Sequence, residues 1–448
     1  MGTQCRETLP PLQDLKVTIQ NSCLVFPNQE TARRESMFLS NIDRVLDFNV
    51  ETVHFFASHA DFPPQTVAEK IKDALGKILV PYDFLAGRLK LNAKTGRLEI
   101  DCNGAGAGFV VASSECTLDE IGDLVYPNAA FAKLVVNSLD SLEKDGKPLC
   151  IIQVTSFKCG GFAMGISTSH ATFDGISFKT FLENFAALAG GKPLAVIPCN
   201  DRELLAARSP PRVTFPHPEL VKLQTHLGED QPSVPVFDAT QEALDFKIFR
   251  LSSSNVSDIK EKAKTNPSAR VSGFNAVTAH IWRCKALSHS ETQDPDRLST
   301  ILYAVNIRPR LIPPLPESYT GNAVLTAYAN ATCKELQEGP ISKLVERVAE
   351  GSKRMTDEYA RSAIDWGEIH KGIPHGDFLV SSWWKLGFDE VGYPWGCPRY
   401  SCPVVYHRKD ILLLFPDIDD SNSVNVLVAL PSKEMEKFES LFHKFLSD

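Results

Sequence analysis

The chain has 448 residues, is 43% hydrophobic and carries a formal net charge of −8. That length exceeds one ordinary domain, so two domains of about 200 residues each are expected. Its acidic balance, with no basic block, argues against nucleic-acid binding, which needs clustered Lys and Arg.

Residues 66–82, TVAEKIKDALGKILVPY, place Val67, Ile71, Ala74, Leu75, Ile78 and Leu79 at helical spacing. The next stretch, GRLKLNAKTGRLEIDCNG, is two alternating runs around AKTG and predicts a hairpin. GAGAG at 104–108 lies between strand-like runs and opens no helix, so it reads as a turn and not a phosphate loop. LCIIQVTSF and GGFAMGIST predict two paired strands. SHATFDG follows at 169–175, and then a helix with Phe178, Phe181, Leu182, Phe185 and Leu188 on one stripe. That helix is expected to stop at Gly190 and Gly191. The proline-rich, weakly periodic residues 201–238 are expected to be a crossover linker.

A second half begins near the strand ALDFKIFRLSS. SGFNAVTAHIWRCKALS predicts a helix with Phe274, Val277, Ile281 and Leu287 inward. LSTILYAVNIRPRL predicts a strand ended by IPPLP, and SVNVLVAL with SKEMEKFESLFHKFL predicts a closing strand and helix. Both halves mix strands and helices, so the fold class is α/β. The expected domains are 1–200, joined by about 375–400, and 239–448.

The 11 cysteines contain no CxxC pair, which predicts free thiols, with neither a disulfide scaffold nor a metal site. The opening MGTQCRETLPPLQDL has no apolar signal-peptide core, and no apolar run reaches membrane-spanning length. A cytoplasmic monomer without a membrane span is expected.

His170 and Asp174 stand four apart at a strand end, followed by Gly175. Histidine has an unperturbed pKa near neutrality and suits proton transfer. Its neighbours Ser169, Ala171 and Thr172 are small and leave room for a ligand, and Gly175 permits a tight bend. A buried Asp174 orients the imidazole or pairs with a distant arginine and shapes the loop; sequence alone leaves both open. GISTS lacks the second glycine of a serine nucleophile elbow. His170 is therefore the candidate general base acting on a substrate's own alcohol or amine, against an activated acyl group.

Beyond HxxxDG, the chain carries LAGRL at 85–89, HIWR at 280–283, RPRLIPPLPESYTGNA at 308–323 and YPWG at 393–396. In that order these blocks resemble the BAHD acyltransferases, which move acyl groups from coenzyme A to alcohols or amines. The resemblance spans essentially the whole chain. HxxxDG alone is shared with chloramphenicol acetyltransferase and with peptide-synthetase condensation domains.

The resemblance implies two chloramphenicol-acetyltransferase-like domains of mixed sheet flanked by helices, with a channel between them. It implies His170 as base and Asp174 turned away, holding the loop through an arginine. It puts Ser381, an oxyanion donor, and Trp383 of SSWW near the reacting carbonyl. Gly175, Arg308, Arg310, Trp395 and Gly396 fall to the coenzyme side. Acyl-CoA enters as co-substrate, with no permanently bound cofactor and no metal. The family's DFGWG block stands here as GYPWG, so its aspartate is Gly392 and its first glycine Pro394. That departure leaves a second reading, an accessory protein without turnover.

Overall fold

The computed structural model describes residues 14–31, 34–125, 128–139, 142–222, 243–289, 294–370, 372–404 and 409–447. The chain divides into two compact units. The first is Met1–Ala206 with Pro316–Asn322 and Leu386–Val405; the second is Ala207–Leu315, Ala323–Lys385 and Tyr406–Asp448.

The first unit is built on a six-stranded mixed sheet. Its order is Val17–Val25, Ala107–Ser114, Cys150–Ser156, Phe162–Ser169, Asn49–Phe56 and Tyr400–Pro403. Ala107–Ser114 and Cys150–Ser156 run parallel; the other neighbours are antiparallel. Phe162–Ser169 is buried along its whole length, as a central strand must be. Arg88–Leu91 and Leu98–Asp101 form the expected hairpin, and GAGAG leads straight into a strand. Helix Pro64–Ile78 starts with prolines at N-cap and N1, where no donor is lost, and buries Val67, Ile71, Ala74, Leu75 and Ile78. It packs on helix Gly175–Ala189, whose Phe178, Phe181, Leu182 and Phe185 face the core. Gly191 ends that helix at φ +68, a left-handed position natural to glycine.

The second unit has its own six-stranded mixed sheet. Its order is Asp245–Leu251, Val424–Leu430, Ile411–Pro416, Phe378–Ser382, Leu298–Asn306 and Val324–Thr332. Helix Gly273–Ser288 packs against Ser432–Ser447 and Ile341–Arg354. Its fully buried Trp282 donates Nε1–H to Ser299 Oγ at 3.0 Å, so the ring is inside and its polar atom satisfied.

The expected 201–238 linker is partly folded structure. Residues 202–205 form a short 3-10 turn of the first unit, and 207–222 are held to the second. Arg208 Nε donates to Asp365 Oδ2 at 2.6 Å, and Leu220–Lys222 pairs with Gly372–Pro374. Residues 223–238 lie outside the described residues. The segment returning to the first unit begins at Leu386, so 375–385 stays with the second. Phe378–Ser382 is a parallel strand between Leu298–Asn306 and Ile411–Pro416, which accounts for that boundary.

Candidate active site

His170 is the first residue beyond strand Phe162–Ser169. Its N–H donates to Phe48 O at 2.8 Å, and Thr172 N–H returns to Ser169 O at 3.0 Å, so the chain turns at once. Phe173 anchors the turn among Tyr82, Phe84, Phe178 and Phe181. Asp174 then caps the next helix. Its Oδ1 accepts from Ile176 N at 3.1 Å, Ser177 N at 2.9 Å and Ser177 Oγ at 3.0 Å, while Ser177 Oγ also accepts from Asp174 N–H. This capping box satisfies orphan donors of the helix start and sets a negative charge at its positive end.

The His170 residue is half-buried and its ring meets Phe48 edge-on, centroids 5.2 Å apart. Nδ1 is buried, with no partner in hydrogen-bonding geometry. Burial pulls the ring's pKa below the ordinary histidine value; its own backbone, Asp174, Asn322 and the Phe173 backbone pull weakly upward. The ring is therefore neutral at pH 7 and has a lone pair to offer. Cys150, opposite Thr168 on the adjacent strand, has its thiol pushed up to about 12 by burial and stays protonated.

Sequence reasoning missed the group that holds this turn from beneath. Asp43 and Arg202 form a fully buried ion pair, Nη1 to Oδ1 3.1 Å. Arg202 Nη2 donates to Thr172 O at 2.8 Å, inside the HATFD turn. Asn322 donates from its backbone N to Asp43 Oδ1 at 3.0 Å and from Nδ2 to His170 O at 2.8 Å. Gly321 admits Arg202, because a Cβ there would stand 2.5 Å from Nη1. The one sequence signal was TGNA in the 308–323 block, whose Gly321 and Asn322 carried no assigned role.

The other predicted residues divide between the units. His170, Asp174 and Gly175 share one turn; a Cβ on Gly175 would meet Leu386 Cδ1 at 2.5 Å. Trp395 is buried, stacked on Tyr393 at 5.4 Å and edge-on to Phe56, Phe62 and Phe162. Phe162 opens the strand that His170 follows, so about 23 Å of strand separates Trp395's neighbour from the strand's other end. Gly396 closes a tight turn with Tyr393 at φ +107. Beside this block, Gly392, Tyr393 and Pro394 line a cavity of about 410 Å³ with Glu183, Lys192 and Glu390.

Ser381, Trp383, Arg308 and Arg310 belong to the second unit. Ser381 and Trp383 are half-buried at the end of strand Phe378–Ser382. Arg308 is buried and donates from N and Nη1 to Asn306 Oδ1. Arg310 Nη1 donates to Ser352 O at 2.6 Å and Met355 O at 3.2 Å, covering carbonyls at the end of helix Ile341–Arg354.

The second unit also holds a look-alike of a catalytic triad. His217 Nε2 lies 2.8 Å from Ser362 Oγ and its Nδ1 lies 3.0 Å from Glu219 Oε1. All three are buried, and Ser362 Oγ accepts from Thr214 N and Phe215 N. A hydroxyl so engaged and closed to solvent is a clamp, not a nucleophile. Among the described residues, no His, Cys, Asp and Glu group could hold a metal ion, and no helix is long and apolar enough to cross a membrane.

A model described as the Transferase family matches residues 15–445. The chain belongs to the BAHD acyltransferases. Among members of this BAHD family, Acyltransferase GLAUCE of Arabidopsis thaliana is 63% identical, covering 100% of both chains. Fatty alcohol:caffeoyl-CoA acyltransferase of Arabidopsis thaliana is 33% identical over 96% of this chain and 98% of its own. The crystal structure of vinorine synthase matches with a TM-score of 0.74 at 23% identity, over 95% of this chain and 98% of that one. The BAHD fold, with its two helix-flanked sheets, is thus common to both chains, and this chain is an acyltransferase.

Proposed function

We propose that this protein moves an acyl group from an acyl-CoA thioester to the hydroxyl of a lipid-like or specialised-metabolite alcohol, with His170 as general base. The observation that carries this is the neutral imidazole at a strand end, whose ring meets no serine or cysteine in hydrogen-bonding geometry among the described residues. A serine or cysteine nucleophile would need that bond.

In the proposed step the alcohol oxygen attacks the thioester carbonyl while Nε2 takes its proton. The tetrahedral oxyanion collapses, the C–S bond breaks, and the imidazolium proton passes to the leaving thiolate. Ester and free coenzyme A result, and no acyl-enzyme forms. Ser381 Oγ is the proposed donor to the oxyanion, a kind of contact worth about 3 kcal/mol. Acyl-CoA is the co-substrate, and the protein acts as a cytoplasmic monomer. The alcohol class takes support from the relative that is a fatty alcohol:caffeoyl-CoA acyltransferase.

The test is thiol release from a panel of hydroxycinnamoyl- and aliphatic acyl-CoAs against long-chain alcohols, with esters read by mass spectrometry. Ester formation with at least one pair is expected. Incubation with acyl-CoA alone should leave the protein's mass unchanged; an acylated peptide would refute the direct transfer. The accessory reading rests on GYPWG, and absence of turnover across the panel would favour it.

A further inference from the structure

We infer that Asn322 is a positioning residue that holds His170 in the tautomer with its proton on Nδ1, leaving Nε2 bare. The inference rests on the general-base reading of His170 for its functional meaning, though not for its geometry.

The orientation of the Asn322 amide is forced. Nδ2 has two acceptors, Asp43 Oδ1 at 2.9 Å and His170 O at 2.8 Å. Flipping the amide would set its oxygen against both, so the NH2 group must face them. The residue cannot drift, because it is fully buried and its own N–H is bound to Asp43 Oδ1. Asp43 is fixed in turn by Arg202 and by Ser40, whose N–H and Oγ donate to Oδ2 at 2.9 and 2.8 Å. Asn322 Oδ1 is thereby turned from these groups, and it is buried without a partner. His170 Nδ1 is buried without one as well. An unfilled acceptor and an unfilled ring nitrogen on two residues joined by a 2.8 Å bond are complementary if the nitrogen carries a hydrogen.

The charge balance of the ring agrees. Every group that raises the proton affinity of His170 by hydrogen bonding is an acceptor at the turn: its own backbone, the Asn322 side chain and the Phe173 backbone. An acceptor at Nδ1 favours N–H there, and the other nitrogen then carries the lone pair. Asn322 serves this twice, through Oδ1 and through Nδ2, which fixes the His170 carbonyl. Asp174, by contrast, caps the helix start, accepting from Ile176 and Ser177 N–H.

The experiment is long-range 1H–15N correlation on protein labelled at histidine, with the His170 signals identified by their loss in His170→Asn. In the wild type, Nδ1 should be protonated and Nε2 bare; the reverse pattern overturns the inference whether or not any variant folds. In Asn322→Ala the two tautomers should mix. Its kcat should fall ~10- to 100-fold with both KM values little changed. Loss of an acceptor should also move the acidic limb of the pH–rate profile to lower pH. An unchanged tautomer and an unmoved limb in a folded Asn322→Ala protein would leave Asn322 a structural residue only. Failure of the base reading is seen separately, as retained turnover in His170→Asn.

Discussion

Replacing Asp174 separates cap geometry from charge. Its Oδ1 accepts three hydrogen bonds at the start of helix Gly175–Ala189, from Ile176 N, Ser177 N and Ser177 Oγ. Asp174→Ala removes all three and the carboxylate. Loss of an N-cap costs about 0.5–2 kcal/mol, and loss of a negative charge at a partly buried helix start costs up to ~2 kcal/mol more. The sum is roughly 3 kcal/mol, or about 6–12 °C in Tm for a unit of this size. Asp174→Asn keeps an oxygen that caps equally well and loses the charge at the helix start, a change that at the cap costs about 1 kcal/mol and roughly 2–4 °C. The assay is thermal unfolding of both variants by circular dichroism, with kcat measured in parallel. Activity should fall in the same order, because the cap fixes the turn that carries His170. A Tm loss in Asp174→Asn as large as in Asp174→Ala would refute the claim that the cap dominates and assign the stability to the carboxylate charge.

The buried histidines His54 and His280 are both held to a pKa of about 3 by burial. Unfolded chains protonate them near 6.5, so stability should fall as pH drops below 6.5, by about 2 kcal/mol per histidine at pH 5; urea melts flat from pH 7 to 5 would contradict this. The pKa of His170 is also held below the ordinary value, so the acidic limb of kcat/KM should lie below pH 6.5 and the rate should be level from pH 7 to 8. Arg310→Ala should lower Tm by removing the bonds to Ser352 O and Met355 O, with both KM values unchanged; a raised acyl-CoA KM with unchanged Tm would assign it to phosphate instead. Trp395→Ala should cost about 3–5 kcal/mol, because its ring fills the aromatic cluster of Phe56, Phe62 and Phe162.

What could be read from the sequence was local. Helix Gly175–Ala189 showed its apolar stripe and its glycine stop, so periodicity and the C-terminal signal agreed, whereas the capping role of Asp174 came only with the structure. The Arg88–Leu91 hairpin and the pair Cys150–Ser156 and Phe162–Ser169 were legible for the same reason. The support beneath His170 was not, because Asp43 lies 159 residues from Arg202 and 279 from Asn322. No short-range pattern joins such residues; the fold does. Residues 207–222 read as a linker because they pair through scattered polar contacts to Glu358, Ser362 and Asp365, which leave no hydrophobic period. Trp395 lies in a block of the BAHD pattern, but its burial and its stacking on Tyr393 needed the fold to be seen.

The most direct test of the account is the turnover of His170→Ala with an acyl-CoA and alcohol pair that the wild type esterifies. A general base contributes roughly 100- to 10,000-fold, so kcat should fall by that factor. The turn is held by backbone bonds, His170 N–H to Phe48 O and Thr172 N–H to Ser169 O, that survive loss of the ring, so Tm should change little. Retention of most of kcat in a folded His170→Ala protein would contradict the proposed mechanism at its centre.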